Sequence, residues 1–446
     1  MSAAPSTPKV ADDIIHETRI TLPQFVILAI CFVVYVLDGF DIAVISFTAP
    51  AMSAEWGISS SQLGIVFSSG VLGMTLGAMF LAPFADVYGR RLVVTLLLLM
   101  SGLTTWGVAF TSTVPELIVL RFIAGLGLGA LVAALAPLVG EYSPRRHRTL
   151  ILAITFAAAP LGPVIGGLIA ASVIEDHGWR MIFHYAGLVT LIVGALFYIV
   201  VPESMAYIIK RKPEGALDRV NKILRYIRQS PIDSLPAVNE QTSNESATVV
   251  SLVTPARRAR TLLLWMTFFL AFATVYFFTT WTPQVLANAG LPQDQAIRGA
   301  VTIAAGSVIG TTLLGWLGRW FPLNRIVAVA FVIGGSATLL LGILLFNMSA
   351  IPEVLIWLTL FFIGLTLMGG FTNLYTIALT TYPAQIRSTG LGWAAGLGRG
   401  GAVLSPAIAG ALVAGGMSMP VLCMVFAVPI VLAAVGAAAL KMSELP

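Results

Sequence analysis

The stretch APFADVYGRRLVV, residues 82–94, decides how this chain is read. It carries one acid and two adjacent bases, Asp86, Arg90 and Arg91. Residues 57–85 before it and 92–115 after it contain no charged side chain. Each flank is long enough for a bilayer-spanning helix, which needs roughly 20 apolar residues. A short charged loop between two such runs turns the chain round at a membrane surface.

The same pattern holds throughout. The 446 residues are 58% hydrophobic and 10% charged, whereas soluble domains are about 25% charged. The chain reads as an all-α polytopic membrane protein. Hydropathy places twelve helices at 22–47, 61–83, 91–111, 115–138, 149–172, 179–201, 261–287, 296–318, 324–347, 352–380, 387–413 and 418–440. Residues 1–21 are a polar tail, and the run after them is too long for the core of a secretory signal. Six helices (22–202) precede a polar stretch at 203–260, and six (261–440) follow it, with a short tail at 441–446. Within that stretch Leu217, Val220, Ile223, Leu224 and Ile227 alternate with Arg219, Lys222, Arg225 and Arg228 at helical spacing. This is expected to be a basic amphipathic helix on the membrane surface. Residues 229–250 read as a flexible linker.

Charge sets the orientation. With both termini in the cytoplasm, 21 of the 25 Lys and Arg residues fall on the cytoplasmic side. Only Arg180 and Arg298 then lie in outer loops, while Arg121 and Arg399 lie within helices. The net charge of +5 is therefore a topology signal and does not point to nucleic acid. Cys31 and Cys423 stand in apolar runs, with no metal-ligand spacing or disulfide framework around them.

The halves repeat. GEYSPRRHRTL follows the fourth helix and TTYPAQIRSTG the tenth; LGPVIGG in the fifth corresponds to LSPAIAG in the eleventh. Two six-helix halves imply a transporter with its site between them, near the midplane. The loop at 82–94 resembles the signature Gly-x-x-x-Asp-x-x-Gly-Arg-Arg of the major facilitator superfamily, through Asp86, Gly89, Arg90 and Arg91, with Ala82 in place of the first Gly. Asp86 is expected to act as a latch against a helix N-terminus of the other half. The equivalent loop after the eighth helix, GWLGRWFPLNR, lacks the acid.

Four ionisable residues lie deep inside helices, where charge marks function. Asp38 and Asp41, at i and i+3, share a face of the first helix. Asp41 and Arg121 each come out roughly 9 Å from the outer surface, a match that favours an Asp–Arg pair. Arg399 lies ~18 Å in, near the midplane. Two readings stand for Arg399: a fork for a ligand carboxylate, or a donor to helix carbonyls. For the two acids the alternatives are a proton site, since desolvation favours the neutral carboxyl, or a static pair with Arg121. Glu141, at the inner end of the fourth helix, is either a gate with Arg90 or Arg145 or a solvated helix end.

DGFDIA in the first helix, Arg121, GEYSPRRHR and YPAQIRSTGLGWAAGLGRGGAVLSP in the eleventh together resemble the aromatic acid:proton symporters. That resemblance implies import of a benzoate, hydroxybenzoate or methoxybenzoate across the bacterial inner membrane by alternating access. It implies no cofactor beyond the proton gradient and no obligate protein partner. It gives Asp38 and Asp41 a role in proton coupling with Arg121, and makes Glu141 and Arg399 important for transport. Phe371 stands where a polar amide is expected, and Asn373 is the substitute. Tyr35, Phe156, Trp281, Gln284, Asn288, Asn373, Tyr375 and Trp393 are candidate cavity residues, with packing as the competing role for each. The rival readings are a proton-coupled drug antiporter, from GPVIGG, and an aliphatic carboxylate symporter. No nucleotide loop or nucleophile–base spacing suggests an enzyme.

Overall fold

The computed structural model describes residues 20–236, 249–255, 257–348, 351–383 and 386–440. Among them, twelve helices are long and apolar enough to cross a membrane. These are α1 (Leu22–Trp56), α2 (Ser60–Phe80), α3 (Arg90–Val108), α4 (Val114–Tyr142), α5 (Arg148–Phe156 and Ala158–His177) and α6 (Trp179–Val200). The second set is α7 (Arg258–Asn288), α8 (Gln293–Leu317), α9 (Leu323–Phe346), α10 (Glu353–Thr381), α11 (Arg387–Ala414) and α12 (Met419–Ala439). The even number of spans puts Leu22 and Ala439 on one side of the bilayer, here the terminal side; the other is the far side.

Local chemistry sets several boundaries. Thr21-x-x-Gln24 and Ser59-x-x-Gln62 form reciprocal capping boxes at the starts of α1 and α2. Helix α1 overruns its expected end at 47 and continues through Pro50 to Trp56. Hydropathy fades at Pro50, yet neighbouring helices in a bundle tolerate the one lost backbone bond. The helix stops at Gly57, which adopts φ 63° and donates its N–H to the Ser53 carbonyl at 3.0 Å. Helix α5 is interrupted at Ala157, where Pro160 has no N–H for the Phe156 carbonyl. Helix α10 contains a π turn at Gly364–Met368, which hydropathy does not register.

Helix packing exposes the repeat. In the first half α1 packs on α5, α2 on α4 and α3 on α6. Adding six to each label gives the second half: α7 on α11, α8 on α10 and α9 on α12. The halves meet through α2 with α11 and through α5 with α8, a pair related in the same way.

On the far side the halves are sealed. A side chain at Gly64 near the start of α2 would meet the Pro406 carbonyl, and one at Gly410 of α11 would meet the Ser60 carbonyl. Trp281 of α7, fully buried, donates its indole N–H to the Pro406 carbonyl at 3.3 Å. Phe67 of α2 meets its ring edge-on at 5.5 Å. Toward the terminal side the contact lapses, and positions Gly392 and Gly396 of α11 face open space. The molecule is closed on the far side and open on the terminal side.

One expectation needs correction. The basic helix forms at Ala216–Tyr226, but its apolar face is not on a membrane surface. Val220, Leu224 and Ile227 are buried in a cluster with Ile27, Tyr142 and Phe197 at the ends of the first-half helices. Thr21 Oγ1 donates to the Ile227 carbonyl at 2.8 Å. A large apolar surface was at hand within the same half, and it competed successfully with lipid. The segment after it begins folded: Asn221 brackets Ile232 with two hydrogen bonds at 2.8 and 3.0 Å. The rest of the expected linker, 237–248, and the tails at 1–19 and 441–446 lie outside the described residues.

The seal is directly testable. In the Gly410→Val variant a cysteine introduced at Ser60 is expected to react faster with a membrane-impermeant thiol reagent than the same cysteine in the Gly410 background. Cys31 and Cys423 are fully buried and serve as silent controls. Unchanged reactivity would show that the Gly64–Gly410 approach does not close the far side.

Candidate functional site

The two acids of DGFD part company in three dimensions. Asp41 meets Arg121 of α4 across 3.4 Å, with side-chain exposures of 9% and 5%. Arg121 Nη2 also donates to the Asp41 backbone carbonyl at 2.9 Å, and Thr105 of α3 donates its hydroxyl to Asp41 Oδ1 at 2.7 Å. This cluster ties α1, α3 and α4 together inside the first half. The pairing is the expected one, but α1 extends past its expected end at 47. With α1 running to Trp56, Asp41 lies roughly 22 Å from the far end of its helix.

Asp38 has no share in that pair. Its Oδ1 is buried with no hydrogen-bond partner. It lies within electrostatic reach of Asp41, of Arg399 in α11 and of Tyr276 in α7. Gly39 beside it lets α5 approach so closely that a Cβ would collide with the Ala159 carbonyl. Asp38 is therefore the acid that faces the opposite half.

Arg399 is the counterpart. It shares an α11 face with Gly392 and Gly396, so the open space on the terminal side leads to it. Its Nη1 donates to the Met74 carbonyl of α2 at 3.3 Å, across the boundary between the halves. Around it stands a continuous aromatic cluster from α7 and α10. Phe272 meets Phe371 at 4.6 Å and Tyr276 at 5.8 Å; Tyr375 meets Phe371 at 5.7 Å and Phe268 at 5.2 Å. Arg399 lies in electrostatic reach of both Tyr276 and Tyr375. Phe371, which departs from the expected amide, packs into this ring cluster. Tyr276 and Phe272 carry no signal in the sequence, because the run FFLAFATVYFF looks like ordinary core.

Several candidates lie elsewhere. Asn373 is two residues from Phe371, hence on the opposite side of α10, and donates to the carbonyls of Thr311 (3.3 Å) and Gly369 (2.9 Å). It braces α8 and does not replace the missing amide on the aromatic face. Trp393 is six residues from Arg399, roughly 120° round α11. It is 41% exposed and lies beside Trp265 at 6.1 Å. Trp281 is locked in the far-side seal. Gln284 is near the far end of α7, where it donates to Asn288 Oδ1 at 2.9 Å and leaves Oε1 buried and unpartnered. Tyr35 is buried, with its hydroxyl 3.4 Å from the Val132 carbonyl and its ring edge-on to Phe156. Of the proposed wall, Tyr375 alone remains beside Arg399.

The loop at 82–94 forms a second charged centre, at the terminal ends of the first half. Asp86 Oδ1 accepts from Arg90 Nη2 at 3.1 Å, and Arg90 Nη1 is bonded to Glu141. Glu141 also accepts from the Ser204 hydroxyl at 2.8 and 2.9 Å. It is thus a half-buried member of a network, not a solvated helix end. Gly89, at φ 103°, leaves room for Glu203, whose Oε1 accepts from the Arg91 N–H at 3.0 Å. Asp86 is 64% exposed at its side chain and its partner sits in its own turn. The expected latch to the other half is not engaged in this open state.

Comparison with known proteins places these features in a family. The profile of the Major Facilitator Superfamily matches residues 31–406. A gallate transporter of Pseudomonas putida is 31% identical over 94% of this chain and 92% of its own. The 4-hydroxybenzoate transporter PcaK of Pseudomonas aeruginosa is 31% identical over 85% of this chain and 84% of its own. Among solved structures, the xylose transporter XylE from E. coli superposes with a TM-score of 0.70, at 21% identity, over 94% of this chain and 97% of its own. The chain is a multi-pass membrane transporter of the bacterial inner membrane, not an enzyme. It belongs to the major facilitator superfamily, in the group that holds the gallate and 4-hydroxybenzoate transporters.

Proposed function

We propose that this transporter imports an aromatic monocarboxylate by proton symport. The observation that carries the proposal is the ring cluster of Phe272, Tyr276, Phe371 and Tyr375 gathered at Arg399, opposite the unpartnered Asp38. Flat apolar walls suit a benzene ring. A guanidinium offers a carboxylate two parallel donors. Arg399 is held by a neutral carbonyl of Met74, which an anion replaces with a charge-assisted bond. The substrate-type names of the relatives support the same class.

Asp38 is the principal proton site in this reading, and the Asp41–Arg121–Thr105 cluster holds it in register. A desolvated acid facing a cation gains little from staying charged once an anionic substrate occupies that cation. Loading both substrate and proton therefore leaves the centre nearer neutral, and the two halves can rock around it at lower electrostatic cost. In this reading the cytoplasm lies on the terminal side, which the distribution of 21 basic residues supports. The state described here is then open to the cytoplasm. The same geometry weighs against an exporter of cationic drugs, which a central Arg399 would repel, and against an aliphatic acid, which has no use for four clustered rings.

Three measurements test the proposal. In vesicles, acidifying the outside should speed uptake of labelled benzoates, and a protonophore should abolish their concentrative accumulation; accumulation that survives the protonophore with no other ion gradient present sinks symport. Asp38→Asn should lose accumulation driven by a pH gradient while keeping substrate exchange, whereas loss of exchange as well would assign Asp38 to binding. Arg399→Ala should weaken binding of the acid by at least tenfold, since hydrogen bonds to charged groups are worth about 1.5–3 kcal/mol. Binding of the corresponding neutral amide should change far less, and equal losses would remove Arg399 from the carboxylate site.

A further inference from the structure

A second built cavity lies well away from Arg399. It has a volume of about 730 Å³ and sits at the terminal ends of α3 and α6, roofed by the helix Ala216–Tyr226. Its upper wall carries Arg219 and Lys222, and its floor carries Arg91. Arg219 and Lys222 are exposed and lie on the polar face of a helix whose other face is buried. Arg91 donates from Nε to the Tyr198 carbonyl at 2.8 Å and lies 4.3 Å over the Tyr198 ring, which fixes the guanidinium at the cavity edge.

Among the described residues the one acid lining the cavity is Glu203, and its Oε1 is occupied by the N–H groups of Arg91 (3.0 Å) and Ser204 (2.8 Å). Three cations thus outnumber one carboxylate that already has donors. Below the charged rim the lining changes character. Leu92 and Ile199 open outward where α3 and α6 present their lipid-facing sides, Ile199 being 73% exposed. Tyr88, Tyr198 and Tyr226 also line the cavity, and Tyr is a ring type enriched where membrane meets water.

A basic chamber above an apolar, bilayer-facing exit matches one kind of ligand, an anion joined to hydrocarbon chains. We infer that this cavity binds the phosphate headgroup of an anionic glycerophospholipid, held by Arg91, Arg219 and Lys222, with the acyl chains descending along α3 and α6. The bound lipid joins the helix 216–226 to the ends of the spans. It also abuts the network of Arg90, Glu141 and Ser204 through Arg91 and Glu203. Nothing in this inference depends on which substrate Arg399 receives.

The test uses the full-length protein purified in a neutral detergent, with the thermal unfolding midpoint followed as ligand is added. The probes are a short-chain phosphatidylglycerol, the phosphatidylcholine of equal chain length, and inorganic phosphate. Phosphatidylglycerol should raise the midpoint saturably, and the other two should not. The double variant Arg219→Gln, Lys222→Gln should need about thirty-fold more phosphatidylglycerol for half the effect, since each basic residue near an anionic headgroup contributes about a factor of five. Arg225→Gln, on the same helix but outside the cavity, should titrate as the parent does. The inference is overturned if phosphatidylcholine matches phosphatidylglycerol, which means general solvation. It is equally overturned if phosphate alone suffices, which means a small-anion site, or if the double variant titrates like the parent or like Arg225→Gln.

Discussion

A guanidinium inside a bilayer has to be satisfied, and the contact between Arg121 and Asp41 is the constraint from which the rest of the first half follows. Breaking a buried pair of this kind costs about 3–5 kcal/mol, because the remaining charge has no partner. Asp41 also takes the Thr105 hydroxyl and offers its own backbone carbonyl to Arg121. Three helices are thereby fixed in depth and rotation. Arg121 is bonded to Asp41 and not to Asp38, although the two acids stand at i and i+3. Asp38 is left to face the other half, and the asymmetry between two chemically identical acids comes from the neighbouring helix that each one meets.

The second half answers with the opposite charge and a different packing solution. Arg399 has no acid bonded to it; it reaches the Met74 carbonyl, a weaker partner than a carboxylate. The rings of Phe272, Tyr276, Phe371 and Tyr375 stand beside the guanidinium and, in the proposed reading, suit a flat apolar body. Far-side closure rests on small residues and one indole hydrogen bond, contacts that separate without leaving a buried charge exposed. Strong electrostatics thus lie within the first half, and weak, reversible contacts lie between the halves, as a rocking mechanism requires.

Much of this was legible in the sequence, for physical reasons. The spans and the six-plus-six repeat follow from hydropathy and spacing, because a bilayer imposes one length and one polarity on every helix. The Asp41–Arg121 pair was legible because few charges exist to choose from. What was not legible depends on rotation about helix axes. Asn373 and Trp393 have suitable chemistry but face α8 and the exterior. Tyr276 and Phe272 face Arg399 yet are hidden among six other aromatic residues of α7. Pro50, with Ser53 and Glu55 after it, ended the apolar run early and displaced the depth scale for the first helix. The basic helix read correctly as amphipathic, but amphipathicity does not say which apolar surface will cover it.

That last feature has a mechanical consequence. Because the helix Ala216–Tyr226 and the turn carrying Ile232 and Leu235 are docked on the first half, they travel with it as ballast. On the other side of the boundary Leu252 is fully buried against the second half, and Thr261 donates its hydroxyl to the Leu252 carbonyl at 2.8 Å. Both described ends of the stretch from 203 to 257 are therefore carried by a bundle, so a swing of one half against the other moves each end as a part of the half it sits on.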